Sequence, residues 1–542
     1  MRAHITGSIT GQYENLSIFL VQFIVICSFL VRIYCFRPLW LFSIMSPVFN
    51  YLACNALPMK FIVKFFAEIT IKSRPVRKSF IKQLRQNIKL VLKKHDADVV
   101  VAGNWDFIEV LSERDDLRDD FIDALSNIAG IAHFQFVREF PLVDLDGIID
   151  EALVSYGDVL KDAVFAVRVK RVGKQHDFSS VEAERYIGGC LKAKSGAHSV
   201  RLKDPDVLVP IDIRDNRVWM IEKRVEGLGG YPIGSQDSVL SLMSGGYDST
   251  VSSYLTMSRG LKTHFCFFNL GGDAHEIGVK QVSSFLWEKY GSGLNVKFVT
   301  VPFEEVVGEI LTKVDNAEMG VILKRMMLRA ATQVMEGVNA KALVTGESVA
   351  QVSSQTLINL KVIDQVTDEL VLRPLITTNK QEIIDKAIDI GTAPFAASMP
   401  EFCGVISVKP TTRAKMHRIE REEAKFDFAV LEKAVEEMRV MSIQNVMDDV
   451  DKQYQGEVPE VRMPVGDEVI IDIRHPDEAM KRPLKVSGRP VRVIPFFALD
   501  SQWNDLEPDV MHLLYCGKGV MSRIHASYLL GKGHSNVGIY LP

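Results

Sequence analysis

The stretch that decides the reading is Val239-Leu240-Ser241-Leu242-Met243-Ser244-Gly245-Gly246-Tyr247-Asp248-Ser249-Thr250. Val239–Met243 is a short apolar run of the kind that forms a buried strand, and an apparent helix begins directly at Thr250. Between them, Gly245 and Gly246 let backbone N–H groups come close to an anion. Ser244 and Ser249 add hydroxyl donors, and the helix start adds its partial positive charge. A carboxylate is out of place on a phosphate, so Asp248 is expected to orient the loop or to help hold a divalent cation. The chain has neither GxxxxGK[ST] nor GxGxxG at this point, which excludes a Walker-type site and a dinucleotide fingerprint. A plain Gly-rich turn is the bland alternative.

Outward from the loop, THFCFFNL (263–270), VKFVTVPF (296–303) and ALVTGE (342–347) are apolar strands, each followed by a helical stretch. That rhythm predicts a doubly wound parallel sheet covered on both faces, running to about residue 400. Upstream lies a Gly-rich connector, GLGGYPIGSQ (227–236). Downstream, an acidic helical stretch with Glu420, Glu422, Glu423, Glu436 and Glu437 leads to a last unit. There EVIIDIR, VRVIPF, MHLLYC and NVGIYLP read as strands and SRIHASYLL as a helix, a second α/β unit at 464–542.

Nearer the N-terminus, KFIVKFFAEI reads as a strand, and the stretch to Lys94 as a helix with apolar residues at Phe80, Ile81, Leu84, Ile88, Val91 and Leu92. Its other face is basic: Met59–His95 holds eleven Lys/Arg and one acid, Glu68. A one-signed excess of this size attracts phosphates, so nucleic acid is the expected partner, a solvated helix face being the alternative. DVVVAGNWDFIEVLS reads as a hairpin turning at Gly103-Asn104, followed by a helix at 115–128, with the small α+β module ending near 135. Residues 140–225 read as helix, strand (163–172), helix (180–191) and two strands. Arg168 and Lys170 lie opposite Phe165, Val167 and Val169, and with Arg171 and Lys174 face either solvent or a ligand.

The whole chain is balanced, with Lys+Arg 64 against Asp+Glu 68, so any polyanion partner has to be met locally. Its 542 residues suggest three or four domains at roughly 150 each. Seven Cys and no CxxC exclude a disulfide-stapled scaffold and give no zinc site. Leu16–Val31 is almost wholly apolar, yet as a helix its sixteen residues rise only about 24 Å. Two readings stand for residues 1–58: a membrane-like extension, or an over-called start with a cytoplasmic protein beginning at Met59.

Two cysteines stand in loops. Cys516 closes the strand MHLLY and opens Cys516-Gly517-Lys518-Gly519-Val520-Met521-Ser522, with a helix beginning at Ser522 or Arg523. Backbone N–H groups at a helix start stabilise a thiolate, and Lys518 and Arg523 are expected to add positive charge. The pattern resembles a rhodanese active-site loop, whose Cys carries persulfide sulfur; Asp472 and Arg474 in VIIDIR are a second such feature. A Cys-dependent phosphatase needs Arg where Ser522 stands. An inert buried thiol is the remaining alternative. Cys403, in Met399-Pro400-Glu401-Phe402-Cys403-Gly404-Val405, is an inert or a reactive thiol on its own residues; Cys190 and Cys266 read as core.

SGGYDS after a buried strand matches the PP-loop of ATP pyrophosphatases, which adenylate a carbonyl oxygen. With the other parts in order, the chain over 59–542 resembles the tRNA 4-thiouridine synthetase (tRNA sulfurtransferase) family. The resemblance implies a ferredoxin-like domain (59–118), a THUMP RNA-binding domain carried by RVKRVGKQHDFSS (119–225), a PP-loop domain (227–450) and a rhodanese domain (464–542). It implies ATP contacts at Leu242, Met243, Ser244, Gly245, Gly246, Ser249, Lys324, Gly346 and Gln355, with Asp248 catalytic and Mg²⁺ accompanying the nucleotide. It also implies that Cys516 carries the persulfide and that Cys403 frees the sulfur, leaving a Cys403–Cys516 disulfide for an external reductant. The uridine would be at the eighth tRNA position, the sulfur donor a cysteine desulfurase, and a thiamine-pathway sulfur-carrier protein an acceptor in some relatives. Rival readings are another PP-loop enzyme that adenylates tRNA, or a non-enzymatic tRNA-binding module. Residues 1–58 have no counterpart in that family.

Overall fold

The computed structural model describes residues 58–542 except 174–175, 271–272, 292, 398, 400–408, 449–457, 475, 487 and 518. The apolar stretch Leu16–Val31, Lys174, Cys403 and Lys518 therefore lie outside the described residues.

Strands β1 (Met59–Phe65), β2 (Val100–Gly103), β3 (Ile108–Ser112), β4 (Ile131–Pro141), β5 (Val164–Val172), β6 (Ser199–Val200), β7 (Val207–Arg214) and β8 (Arg217–Glu226) form one sheet, ordered β2-β3-β1-β4-β8-β7-β5-β6. The two modules expected from sequence are thus hydrogen-bonded into one surface. β4 joins them, pairing antiparallel with β1 on one side and β8 on the other. β4 escaped the sequence reading because its alternation is broken: a register shift at Phe136/Val137 turns the strand. Phe134 and Phe136 consequently enter the first core with Phe61 and Phe121, while Phe140 enters the second with Phe165 and Ile211. The helix Arg118–Ser126 buries Phe121 and Leu125 in the first core, so that unit extends past the expected boundary at residue 118.

Helix Arg74–Leu92 covers the same core with Phe80, Ile81, Leu84, Ile88 and Leu92, the positions its 3.6-residue period picks out. Helices Leu145–Leu160 and Ser180–Ser195 cover the second core. The reverse face of the sheet carries a smaller cluster of Ile62, Phe107, Val137, Trp219 and Ile221.

The connector at 227–236 is packed rather than loose. Tyr231 and Ile233 are buried, Tyr231 N–H donates to Ser258 O at 3.0 Å, and Asn87 on the basic helix donates to Ile233 O at 2.9 Å. Beyond it, β9 (Ser238–Leu242), β10 (Lys262–Asn269), β11 (Lys297–Pro302), β12 (Leu343–Val344), β13 (Val371–Leu372) and β14 (Arg439–Ser442) form the second sheet, ordered β13-β12-β9-β10-β11-β14. All pairings are parallel except that of β14, an antiparallel edge strand at the end of the acidic helical stretch. Helices Tyr247–Ser258, Asp273–Tyr290 and Lys380–Ile390 pack on one face; Glu304–Lys313, Met319–Gly337 and Leu357–Asp364 pack on the other.

The last unit is a five-stranded, wholly parallel sheet of β15 (Glu460–Val461), β16 (Val469–Asp472), β17 (Val491–Val493), β18 (His512–Tyr515) and β19 (Val537–Tyr540), ordered β15-β19-β18-β16-β17. It is docked on the nucleotide-loop unit: the rings of Phe395 and Phe496 lie 4.9 Å apart, and Gln281 meets His525 at 3.3 Å. Lys481–Asp123 and Arg482–Asp120 ion pairs tie it to the first unit as well.

Candidate active site

β9 ends at Leu242, and Met243 is buried behind the loop, its N–H donating to Cys266 O at 2.7 Å. Gly245 sits at φ +81, a left-handed value that its Cβ-free backbone takes without strain. Ser249 Oγ knits the turn, accepting from Ser244 N–H at 3.2 Å and donating to Gly246 O at 3.2 Å, with Ser244 Oγ also 3.2 Å away. His275 Nε2 braces the loop from outside, 2.9 Å from Ser244 O; burial holds its imidazole below the usual range despite that hydrogen bond. No side chain caps the helix Tyr247–Ser258, so its N-terminal N–H groups keep the anion-binding character of an uncapped helix start.

Asp248 is tied to residues outside the loop. Its carboxylate takes Lys380 Nζ at 2.9 and 3.0 Å and Gln351 Nε2 at 2.8 Å. Among the described residues no group of three or more His, Cys, Asp and Glu could hold a metal ion. A Mg²⁺ that accompanies a nucleotide takes most of its ligands from phosphates and water, so it does not require such a group.

Gly346 touches the loop, and its neighbour Glu347 links Lys324 to that wall. Gly346 backs directly onto Asp248 and Ser249. Lys324 Nζ is 2.6 Å from Glu347 Oε1, and Glu347 Oε2 takes Arg373 Nε at 2.8 Å. Burial would raise the Glu347 carboxyl, but Lys324 and Arg373 outweigh it and hold it at about 2. Gln355 is buried, and its Oε1 has no hydrogen-bond partner among the described residues. A buried amide oxygen without a donor is costly, and a donor on a bound nucleotide would relieve it.

Cys516 is buried at the end of β18, where Ser522 N–H donates to Sγ at 3.4 Å and Ser522 Oγ lies at 3.5 Å. Gly519, at φ +77, caps the helix Val520–Gly531, so sulfur sits at a helix start. The Arg523 guanidinium is ion-paired to Glu460. Arg474 makes a two-point pair with buried Asp472 at 2.9 and 2.6 Å and lies 5.2 Å over the ring of Tyr515, the residue before Cys516. Cys266 is wholly buried, and burial pushes its thiol up, as a core residue's would be; Cys190 is only half-buried.

Residues 60–134 match the ThiI ferredoxin-like domain, 155–221 the THUMP domain, and 234–428 the family described as Thiamine biosynthesis protein (ThiI). The tRNA sulfurtransferase of Azotobacter vinelandii is 54% identical over 486 residues, covering 89% of this chain and 100% of that protein. That of Pseudomonas putida is 53% identical with the same coverage. The chain belongs to the tRNA sulfurtransferase family. A crystal structure of a 4-thiouridine synthetase–RNA complex with bound ATP superposes with TM-score 0.64 at 26% identity, covering 71% of this chain and 99% of that one.

The basic surface of this family member is narrower than its sequence suggests. Lys60 is buried against Glu109 and Glu139, and Arg77 is spent on Trp105 O and Asp106. Lys78, Lys82, Arg85, Lys89 and Lys93 remain exposed along the helix. On the THUMP side, Arg168 and Arg171 hold the carbonyls of Leu202 and Phe178. The sheet's reverse face presents Lys64, already counted in the basic N-terminal stretch, and Arg214, which the sequence reading did not single out. Arg214 lies 4.5 Å over Trp219 and Lys64 lies 4.8 Å over Phe107; burial, Arg214 and Lys170 hold the Lys64 amine below its usual range.

Glu347, Lys380, Gln351 and His275 were also not singled out. Lys380 left one trace: it is the first residue of a helix, where a cation opposes the helix dipole and needs another reason to be there.

Proposed function

We propose that this chain is an ATP-dependent tRNA sulfurtransferase that makes 4-thiouridine, and that one polypeptide both adenylates the base and delivers its sulfur. The observation that carries this reading is the docking of a helix-capped cysteine unit onto the nucleotide-loop unit. The helix after Cys516 touches Gln281 through His525, on the same helix that packs against the loop.

The residues fit ATP: a helix start without a side-chain cap, two loop serines, Lys324, and Gln355 Oε1, which has no partner among the described residues. We assign nucleotide contacts to Leu242, Met243, Ser244, Gly245, Gly246, Ser249, Lys324, Gly346 and Gln355, and loop orientation to Asp248. The uridine O4 attacks the α-phosphorus, the bond to the bridging oxygen breaks, and pyrophosphate leaves. Loop N–H groups and Lys324 stabilise the negative charge that builds up there. The terminal sulfur of a Cys516 persulfide then attacks C4, and AMP departs with the C4–O electron pair. Cys403 attacks Cys516 Sγ, the transferred sulfur leaves with the S–S pair, and a Cys403–Cys516 disulfide remains for a two-electron thiol reductant.

Cys403 itself lies outside the described residues. Met399 packs on the loop, its Sδ 3.0 Å from where a Cβ on Gly245 would stand. On the far side Asn359 donates to Thr411 O, beside the segment holding Gln355.

A cysteine desulfurase is the proposed persulfide donor, and a thiamine-pathway sulfur-carrier protein a second acceptor, which the ThiI description supports. Among the described residues no helix is long and apolar enough to cross a membrane. We place the reaction in the cytoplasm, whose thiol pool reopens disulfides. The test supplies ATP, tRNA and a persulfide donor and reads tRNA-dependent pyrophosphate release together with 4-thiouridine by nucleoside mass spectrometry. Both are expected. Pyrophosphate without thiolation points to a different adenylating enzyme, and neither product overturns the proposal.

A further inference from the structure

Glu347 is a buried carboxylate that carries two cations. Lys324 Nζ meets Oε1 at 2.6 Å; Arg373 Nε and Thr345 Oγ1 both donate to Oε2, at 2.8 and 3.0 Å. The two cations are held differently. Arg373 is clamped from behind, its Nη1 and Nη2 on Asp364 at 3.0 and 2.5 Å, with 11% of its side chain exposed. Lys324 has 22% of its side chain exposed and makes a single contact to the carboxylate. Arg373, although it also pairs with half-exposed Asp364, and Thr345 keep Glu347 Oε2 hydrogen-bonded, so Lys324 can turn to another anion without leaving Glu347 unpartnered. Glu347 also directly follows Gly346, which is packed on the backbone of Asp248 and Ser249. The carboxylate is thereby fixed to the wall of the phosphate loop, and Lys324 with it.

We infer that Glu347 is a positioning residue: it parks the Lys324 ammonium beside the loop, and Arg373 and Thr345 keep it satisfied when Lys324 turns to the nucleotide polyphosphate. This rests on the assignment of Lys324 as a nucleotide contact, made above.

The test is a double-mutant cycle on tRNA-dependent pyrophosphate release, reading ATP KM and kcat separately for E347Q, K324A and the double variant. E347Q is expected to raise ATP KM about tenfold with kcat within about twofold, the scale of one charge-assisted hydrogen bond. In the K324A background the same substitution is expected to change KM less than about twofold, because its effect passes through Lys324. E347D, which keeps the charge, is expected to recover at least half of the lost affinity on a logarithmic scale. Persulfide formation at Cys516 serves as the folding control, and if E347Q fails it, E347D takes its place in the cycle. Equal effects of the Glu347 substitution with and without Lys324, an unchanged KM, or an E347D as impaired as E347Q overturns the inference. An ATP KM unmoved by K324A alone removes the Lys324 assignment as well, which separates that failure from the others.

Discussion

Gly346 lies directly against the carbonyl of Asp248: a Cβ added there would stand 2.6 Å from the Asp248 carbonyl carbon and 2.8 Å from Ser249 N. Both obstacles are backbone at the start of the loop helix, so neither yields as a flexible side chain would. G346A is expected to displace that helix start and lower tRNA-dependent pyrophosphate release by at least about a hundredfold. Overpacking is expected to lower stability by about 1–3 kcal/mol. Persulfide formation on Cys516, assayed by mass spectrometry, should be untouched.

Cys516→Ala is expected to abolish 4-thiouridine while leaving tRNA-dependent pyrophosphate release within about twofold, the signature of a group that acts only after adenylation. Loss of pyrophosphate release in step with thiolation would remove the separate carrier role.

Cys403→Ser is expected to leave adenylation intact and to block disulfide formation with Cys516. Non-reducing peptide mapping after one turnover checks this. A Cys516 disulfide formed in the C403S protein with another cysteine would assign the resolving role elsewhere.

Arg474 and Asp472 are both buried, so removing one partner strands the other's charge. Arg474→Leu is expected to destabilise the C-terminal unit by about 3–5 kcal/mol, and Asp472→Asn in the same chain to recover much of that loss. Denaturant unfolding, with Cys516 alkylation rate as a local probe, measures both.

His264 gives the nucleotide-loop unit a pH dependence. It is buried, and its Nδ1 accepts the Lys297 N–H at 2.9 Å, a bond only the neutral ring makes on that nitrogen. Burial, then Lys262 and Lys297, lower its pKa to about 4. The unfolded chain binds the proton first, so stability is full above about pH 6.5 and declines as pH falls toward about 4, by at most about 3 kcal/mol. His275 and His512 are lowered as well and act with the same sign. Thermal unfolding between pH 7 and about 4 should show the decline, and His264→Asn, which keeps an acceptor, should flatten it.

The nucleotide loop was legible because strand, glycines and helix start are contiguous, each with its own local signature. Cys516 was legible for the same reason. What escaped depends on contacts distant in sequence. Lys380 reaches Asp248 across 132 positions, and nothing near Lys380 names its partner. Glu347 reads locally as a polar residue closing a strand; only the fold brings Lys324 and Arg373 to it. The basic stretch Met59–His95 shows the opposite error. Counting charges overstated its surface, because Lys60 and Arg77 are claimed by carboxylates and a carbonyl elsewhere in the first sheet. β4 was lost to its own bulge, which interrupts the alternation that marks a strand.

Because β4 is shared, the ferredoxin-like and THUMP units have no hinge between them. An RNA gripped at one end of that surface is held at a set span from whatever touches it at the other, and the packed connector at Tyr231 and Ile233 carries the span on to the phosphate loop. The first eight strands thus form one continuous sheet whose two ends keep a fixed separation. Chimeras between relatives should exchange residues 59–226 as a block, since a junction inside β4 splits a strand that both halves share.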